Sequence, residues 1–314
     1  MSPLQFPLRQ HGRYTYQPIT ARPQFDWPDG KRLAVFVALN LEHYAFGEGL
    51  AEDLVPNMPP PDVLNNSWRD YGNRVGAWRL LDLFQALALP VSLLINSELY
   101  GACPELIAAY RNAGAEIAAH GRTNSEHQGA LNEADERALI THVTATLQRH
   151  EGQAPAGWLS PWIAETPLTP DLLHEAGYSY VMDWCMDDQP VWLVTRTGHI
   201  LSLPFPQEIN DSAAIMGRQV SAAEFADMVI DQFEELLAQS SAQPLAMGIA
   251  LHSMIVGQPF RLRHLRRALE HISRRRANCW FATAGDIARF SQTVIAKPSP
   301  VRPEPPSTGS GRTA

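Results

Sequence analysis

Three apolar runs of this chain each stop at a side chain that can bind a metal or move a proton: VFVALNLEHY at Glu42 and His43, EIAAHGRTNSEH at His120, and AMGIALHS at His252. Apolar runs of this kind read as buried strands, and in parallel α/β folds the carboxyl ends of strands are where reactive groups collect. A single strand-end imidazole is an ordinary polar cap. Three of them, the first beside a carboxylate, point to a site for acid–base or metal chemistry.

Positioning those ends requires a framework, and the chain alternates strand and helix patterns throughout. Strand-like runs fall at 33–40, 91–95, 115–119, 156–159, 178–182, 198–203 and 245–251. Between several of them lie GNRVGAWRLLDLFQALAL, PELIAAYRNAG, EADERALITHVTATLQRH, TPDLLHEAG and SAAEFADMVIDQFEELLAQ, whose apolar residues recur at helical spacing. Such alternation predicts a parallel α/β sheet, and the number of strands predicts barrel-like closure. The basic run 261–276 carries leucines and isoleucine at the same spacing and reads as a solvated helix face. Residues 1–30, rich in Pro and aromatics, predict an extended arm ending at the turn WPDGKR. A single catalytic domain is expected over 31–293, followed by a disordered Pro, Ser and Gly tail over 294–314.

A length of 314 residues suits one large α/β domain, and 45% hydrophobic content is enough for a sizeable core. The formal charge of -8, with no basic stripe interleaved with aromatics, argues against a nucleic-acid partner. Three widely spaced cysteines, Cys103, Cys185 and Cys279, fit neither a disulfide framework nor a zinc finger. With no signal-peptide pattern and no membrane-spanning stretch, the expectation is a cytoplasmic protein acting on a small molecule. Neither a phosphate-binding P-loop nor a dinucleotide fingerprint is present.

The order LNLEHY, RVGAWRLLDLF, EIAAHGRTNSEHQG, GWLSPWIAETPLTPDLLHEAGYSYVMDW, LPFPQEIND and IALHSMIVGQP resembles the polysaccharide deacetylase superfamily, the NodB-homology fold, over roughly residues 30–290. It is most similar to the intracellular allantoinase-like and cyclic-imide-hydrolysing branch. The resemblance implies a distorted (β/α)7-type barrel, hydrolysis of a non-peptide carbon–nitrogen bond, and often a bound divalent metal. Zinc is the first choice for that metal, and a purely side-chain mechanism stays open.

Carried over by position, Glu42 becomes the general base, His252 the general acid, and Asp183 a brace for the catalytic groups. His43 and His120 become metal ligands. A second His is expected four residues after His120, where this chain has Asn124, so the remaining ligand would be Asn124, Glu126 or His127. The family's Arg-x-Pro-Tyr-like segment is replaced by WLSPWIAET, where Trp158 and Trp162 either wall the pocket or serve as core aromatics. Arg74 and Arg122 are candidates for substrate contact, or for plain structural or surface roles. Glu208, Asn210 and Asp211 fall in a substrate-side loop without individual roles.

The expected reaction is therefore addition of water to the carbonyl of a small cytosolic amide, cyclic imide or ureide. Deacetylation of an N-acetylated sugar is the alternative within the class, and a catalytically inactive binding member is the alternative outside it. A homo-oligomer is expected, with no membrane and no nucleic acid among its partners.

Overall fold

The computed structural model describes residues 11–298. Expectations for residues 1–10 and for most of the 294–314 tail fall outside the described residues.

Strand β1 (Leu33–Leu41) is buried at all nine positions, which explains why its sequence is continuously apolar rather than alternating. It runs parallel to β2 (Val91–Ile95) on one side and to β8 (Leu245–His252) on the other. Beyond β2 follow β3 (Glu116–Ala119), β4 (Gly157–Trp158), β5 (Tyr180–Val181) and β7 (Gly198–Ser202), all parallel to their neighbours. The edge is β6 (Val191–Thr195), antiparallel to β7, and a short β9 (Trp280–Phe281) pairs with the start of β1. Seven parallel strands thus lie along the path β7-β5-β4-β3-β2-β1-β8.

The fold is α/β with a curled sheet, a distorted barrel whose seam stays open. Across that seam a single bridge, Asn210 to Ala250, links the segment after β7 to β8. Two hydrophobic clusters fill the two faces of the sheet. One gathers Leu33, Val35, Val37 and Leu39 of β1, the other Ala34, Phe36 and Ala38. Each Leu, Val or Phe so buried stabilises the fold by about 1.5–3 kcal/mol.

The predicted helices are present over 77–86, 104–112, 133–151, 169–175 and 222–239, and the basic run forms the helix 259–273. That last helix buries Leu262, Leu265, Leu269 and Ile272 and leaves its arginines outward. The helix 222–239 begins at a capping box between Ser221 and Glu224. Helices over 63–71 and 284–294 and strands β6 and β9 were not read from the sequence; the first is polar and β9 spans only two residues.

The described part of the arm is no free extension. Trp27 is 1% exposed and its indole donates to the Leu245 carbonyl at 2.9 Å. Arg13 pairs with the buried carboxylate of Asp171 at 2.7 Å. Aromatic and guanidinium groups that look like a loose Pro-rich leader in sequence therefore bind residues 11–30 to the domain. Among the described residues no helix is long and apolar enough to cross a membrane.

Candidate active site

Each parallel strand ends at the same rim of the sheet, and that rim carries the polar residues. Glu42 follows β1, Asn96 follows β2, His120 follows β3, Ser160 lies just beyond β4, and His252 closes β8. Glu42, His120 and His252 meet there, together with Trp162, in a cleft of about 160 Å³.

Glu42 is 8% exposed, and each of its carboxylate oxygens accepts one hydrogen bond. The Tyr44 hydroxyl donates to its Oε2 at 2.5 Å and the Asn124 amide to its Oε1 at 2.6 Å. Its main-chain carbonyl accepts from Asn73 at 2.8 Å, within a one-turn π bulge over Gly72–Gly76. Burial alone would raise the Glu42 pKa. The charge of His252, with His120 and the Tyr44 hydroxyl, outweighs it and holds the carboxyl below its ordinary value.

His252 is fixed by Asp211, which accepts from its ring Nδ1 at 2.6 Å and from its main-chain N–H at 2.9 Å. Burial pulls the imidazole pKa down, but Asp211, Glu42 and Glu52 overcome that and bring it to about 9. At neutral pH the ring is therefore charged and presents Nε2–H to the cleft. His120 donates Nδ1–H to the Leu159 carbonyl at 2.8 Å, leaving Nε2 buried without a partner.

Both free imidazole nitrogens, Nε2 of His120 and Nε2 of His252, lie 3.6 Å from the same carboxylate oxygen, Glu42 Oε1. That is beyond direct hydrogen-bond length and suits one small group held among all three. No family model matches the chain. A Schizosaccharomyces pombe protein assigned by name to the polysaccharide deacetylases is 25% identical over 302 residues, spanning 87% of this chain and 93% of that one. A solved Pseudomonas aeruginosa PAO1 structure with the same assignment superposes with a TM-score of 0.79 at 27% identity, over 90% of this chain and 99% of that one. The structure of Puue allantoinase superposes with a TM-score of 0.78 at 27% identity, over 93% and 99%. By sequence and fold likeness over nearly its whole length the chain is a polysaccharide deacetylase-like hydrolase.

The other motif residues divide sharply. Trp162 borders the cleft, its indole donating to the Asn124 carbonyl at 2.7 Å. It and Ile163 sit at φ 61° and 53°, a left-handed backbone that costs non-glycine residues about 1–3 kcal/mol each and typifies functional sites. Trp158 is instead a core residue: it is fully buried, packs edge-on against Tyr178 and donates to Ser160. Arg74 is exposed and does not line the cleft. Arg122 is also exposed and is bound to Glu126, and it too is absent from the cleft lining.

Asp183 braces no imidazole. Its two oxygens accept from the Ser160 N–H and hydroxyl, both at 2.7 Å, so it anchors the β4 rim instead. The brace belongs to Asp211, which the sequence placed in a substrate-side loop without a role of its own. Glu52, Tyr44, Asn40 and Gln207 also line the cleft and were not singled out. For Asn40 a signal existed: it is the one polar residue inside an otherwise apolar strand.

The proposed metal ligands do not converge. His127 is exposed and lines a separate groove with Glu126 and Asp135. His43 faces the rim through its backbone, donating to Asn96 Oδ1 at 2.7 Å and accepting from the Asn124 N–H at 2.9 Å, and its side chain is outside the cleft lining. Asn124 is occupied at both ends of its amide, by Glu42 and by Asn96 Nδ2 at 2.9 Å. Among the described residues no group of three or more His, Cys, Asp or Glu is placed to hold an ion. These residues do not fit the ligand set that the sequence suggested.

Proposed function

We propose that this chain hydrolyses the carbon–nitrogen bond of a small amide, cyclic imide or ureide inside the cell. The observation that carries the reading is the shared position of Glu42 Oε1 relative to the two imidazoles, with one imidazole charged. A water held there donates one proton to Glu42 Oε1 and the other to His120 Nε2. Glu42 removes the first as the water oxygen attacks the carbonyl carbon. When the tetrahedral intermediate collapses, the carbon–nitrogen bond breaks and His252 Nε2–H delivers its proton to the departing nitrogen. The proton on Glu42 then restores His252 through solvent, and the net change is addition of one water across the bond.

Two features favour a small planar substrate over a sugar polymer. The cleft, at about 160 Å³, lies below the ~300–1,000 Å³ usual for ligand sites. Its mouth is bordered by the face-forming Trp162, which suits stacking on a ring. Likeness to Puue allantoinase is compatible with this choice.

Removing the base tests the reading. Glu42→Gln keeps the hydrogen bonds' shape but cannot take a proton, and kcat on hydantoin, succinimide or dihydrouracil, whichever the parent turns over, should fall roughly 10²–10⁴-fold. A folded Glu42→Gln chain as active as the parent would falsify the mechanism.

A further inference from the structure

Besides Glu42, a second carboxyl side chain lines the cleft. Glu52 comes from the irregular segment after β1, and its Oε2 accepts from the Ser212 hydroxyl at 3.2 Å. Its backbone is fixed as well: Arg69 donates to the Glu52 carbonyl at 2.8 Å. Among the described residues that line the cleft there is neither Lys nor Arg. The Arg69 guanidinium stands behind Tyr44, 5.0 Å from that ring's centroid, and is paired with Asp53 at 3.2 Å. Three carboxylates, Glu42, Glu52 and Asp211, thus surround one imidazolium, His252.

Glu42 and Asp211 are already engaged by the mechanism, one as base and one as brace. Glu52 has no such part: its carboxyl lines the cleft with one hydrogen bond, from Ser212, and no Lys or Arg beside it among the lining residues. Burial pushes its pKa up and the charge of His252 opposes that, so the two groups sense one another across the cleft.

We infer that Glu52 sets substrate charge: it makes the cleft selective for uncharged amides and repels the carboxylate that hydrolysis creates. The inference rests on the amide-hydrolysis reading above. Opening a neutral imide or ureide ring converts an uncharged reactant into an anion. A net negative cleft therefore admits the first, refuses carboxylate-bearing analogues, and speeds departure of the second.

The test is calorimetry on the full chain at mildly alkaline pH, below the His252 transition near 9. Two ligands are compared: dihydrouracil, and dihydroorotate, the same ring bearing one carboxylate. The parent should bind the uncharged ring more tightly by roughly tenfold or more, the scale of one unscreened like charge at short range. Glu52→Gln should narrow that ratio by a similar factor, and Glu52→Asp should retain it. Glu52→Ala serves in place of the Gln variant should that chain not fold. An unchanged ratio in a folded Glu52→Gln or Glu52→Ala chain, or a parent that binds both rings equally or binds neither, overturns the inference. Turnover decides the other claim separately: a parent that discriminates between the rings but hydrolyses neither them nor the other imides defeats the hydrolase reading and leaves the role of Glu52 standing.

Discussion

Glu42 and His252 have opposite needs, and their surroundings satisfy both. The donors around Glu42 keep it ionised and ready to accept a proton, while Asp211 keeps His252 charged and ready to give one. Activity should therefore be lost on the alkaline side as His252 deprotonates near pH 9, and kcat/KM should follow that limb. Asp211→Asn removes the largest source of the upward shift, so the limb should move toward the ordinary imidazole value of about 6.5. An alkaline limb that stays in place in this variant would assign it to another group. At this scale the sequence was informative where a reactive residue follows an apolar run, as at positions 42, 120 and 252. Asp211 was not legible, because its partner lies 41 residues away and only the seam bridge at Asn210 brings it beneath the ring. Arg74, Arg122 and His127 lie outside the cleft lining for a related reason: sequence position fixes the loop, not the direction of a long side chain.

His252 is also positioned by the element that follows it. The turn 253–256 packs against the π bulge at 72–76, and the backbones come close enough that only glycine fits. A Cβ on Gly257 would lie 2.2 Å from the Ser253 carbonyl oxygen and 2.4 Å from the Gly76 Cα. Neither neighbour is a movable side-chain tip, so Gly257→Ala must push the two elements apart. We expect a loss of about 1–3 kcal/mol in denaturant unfolding, together with a fall in kcat, because the same bulge carries Asn73 against Glu42. Gly257→Ala with parental stability and activity would show that the contact is slack. Long amphipathic helices such as 133–151 and 222–239 were readable from apolar spacing and their caps. The π bulge was not, since its sequence GNRVG runs into a regular helix and its widened turn follows from this backbone contact.

Across the molecule, buried ionisable groups tie stability to pH. In the unfolded chain His252 titrates near 6.5, against about 9 when folded. Its contribution is therefore complete below about 6.5 and disappears as pH rises through about 9. Glu165 acts in the same direction: burial, then Asp183 beside it, lifts its carboxyl to about 10, so the folded protein keeps a proton that the unfolded chain has released. The melting temperature should drop steadily from neutral pH to about pH 10, and a flat profile over that range would mean these groups are better solvated than the fold implies. The α/β class and the parallel strands were legible because apolar runs and helices alternate. The open seam and antiparallel β6 were not, since closure depends on how strongly the sheet curls and no local pattern records that. The most direct test is an NMR titration of the His252 ring, which needs no substrate. Nε2 should lose its proton near pH 9, and Glu42→Gln should lower that midpoint; a transition at the ordinary imidazole value, unmoved by Glu42→Gln, would contradict the coupled acid–base pair.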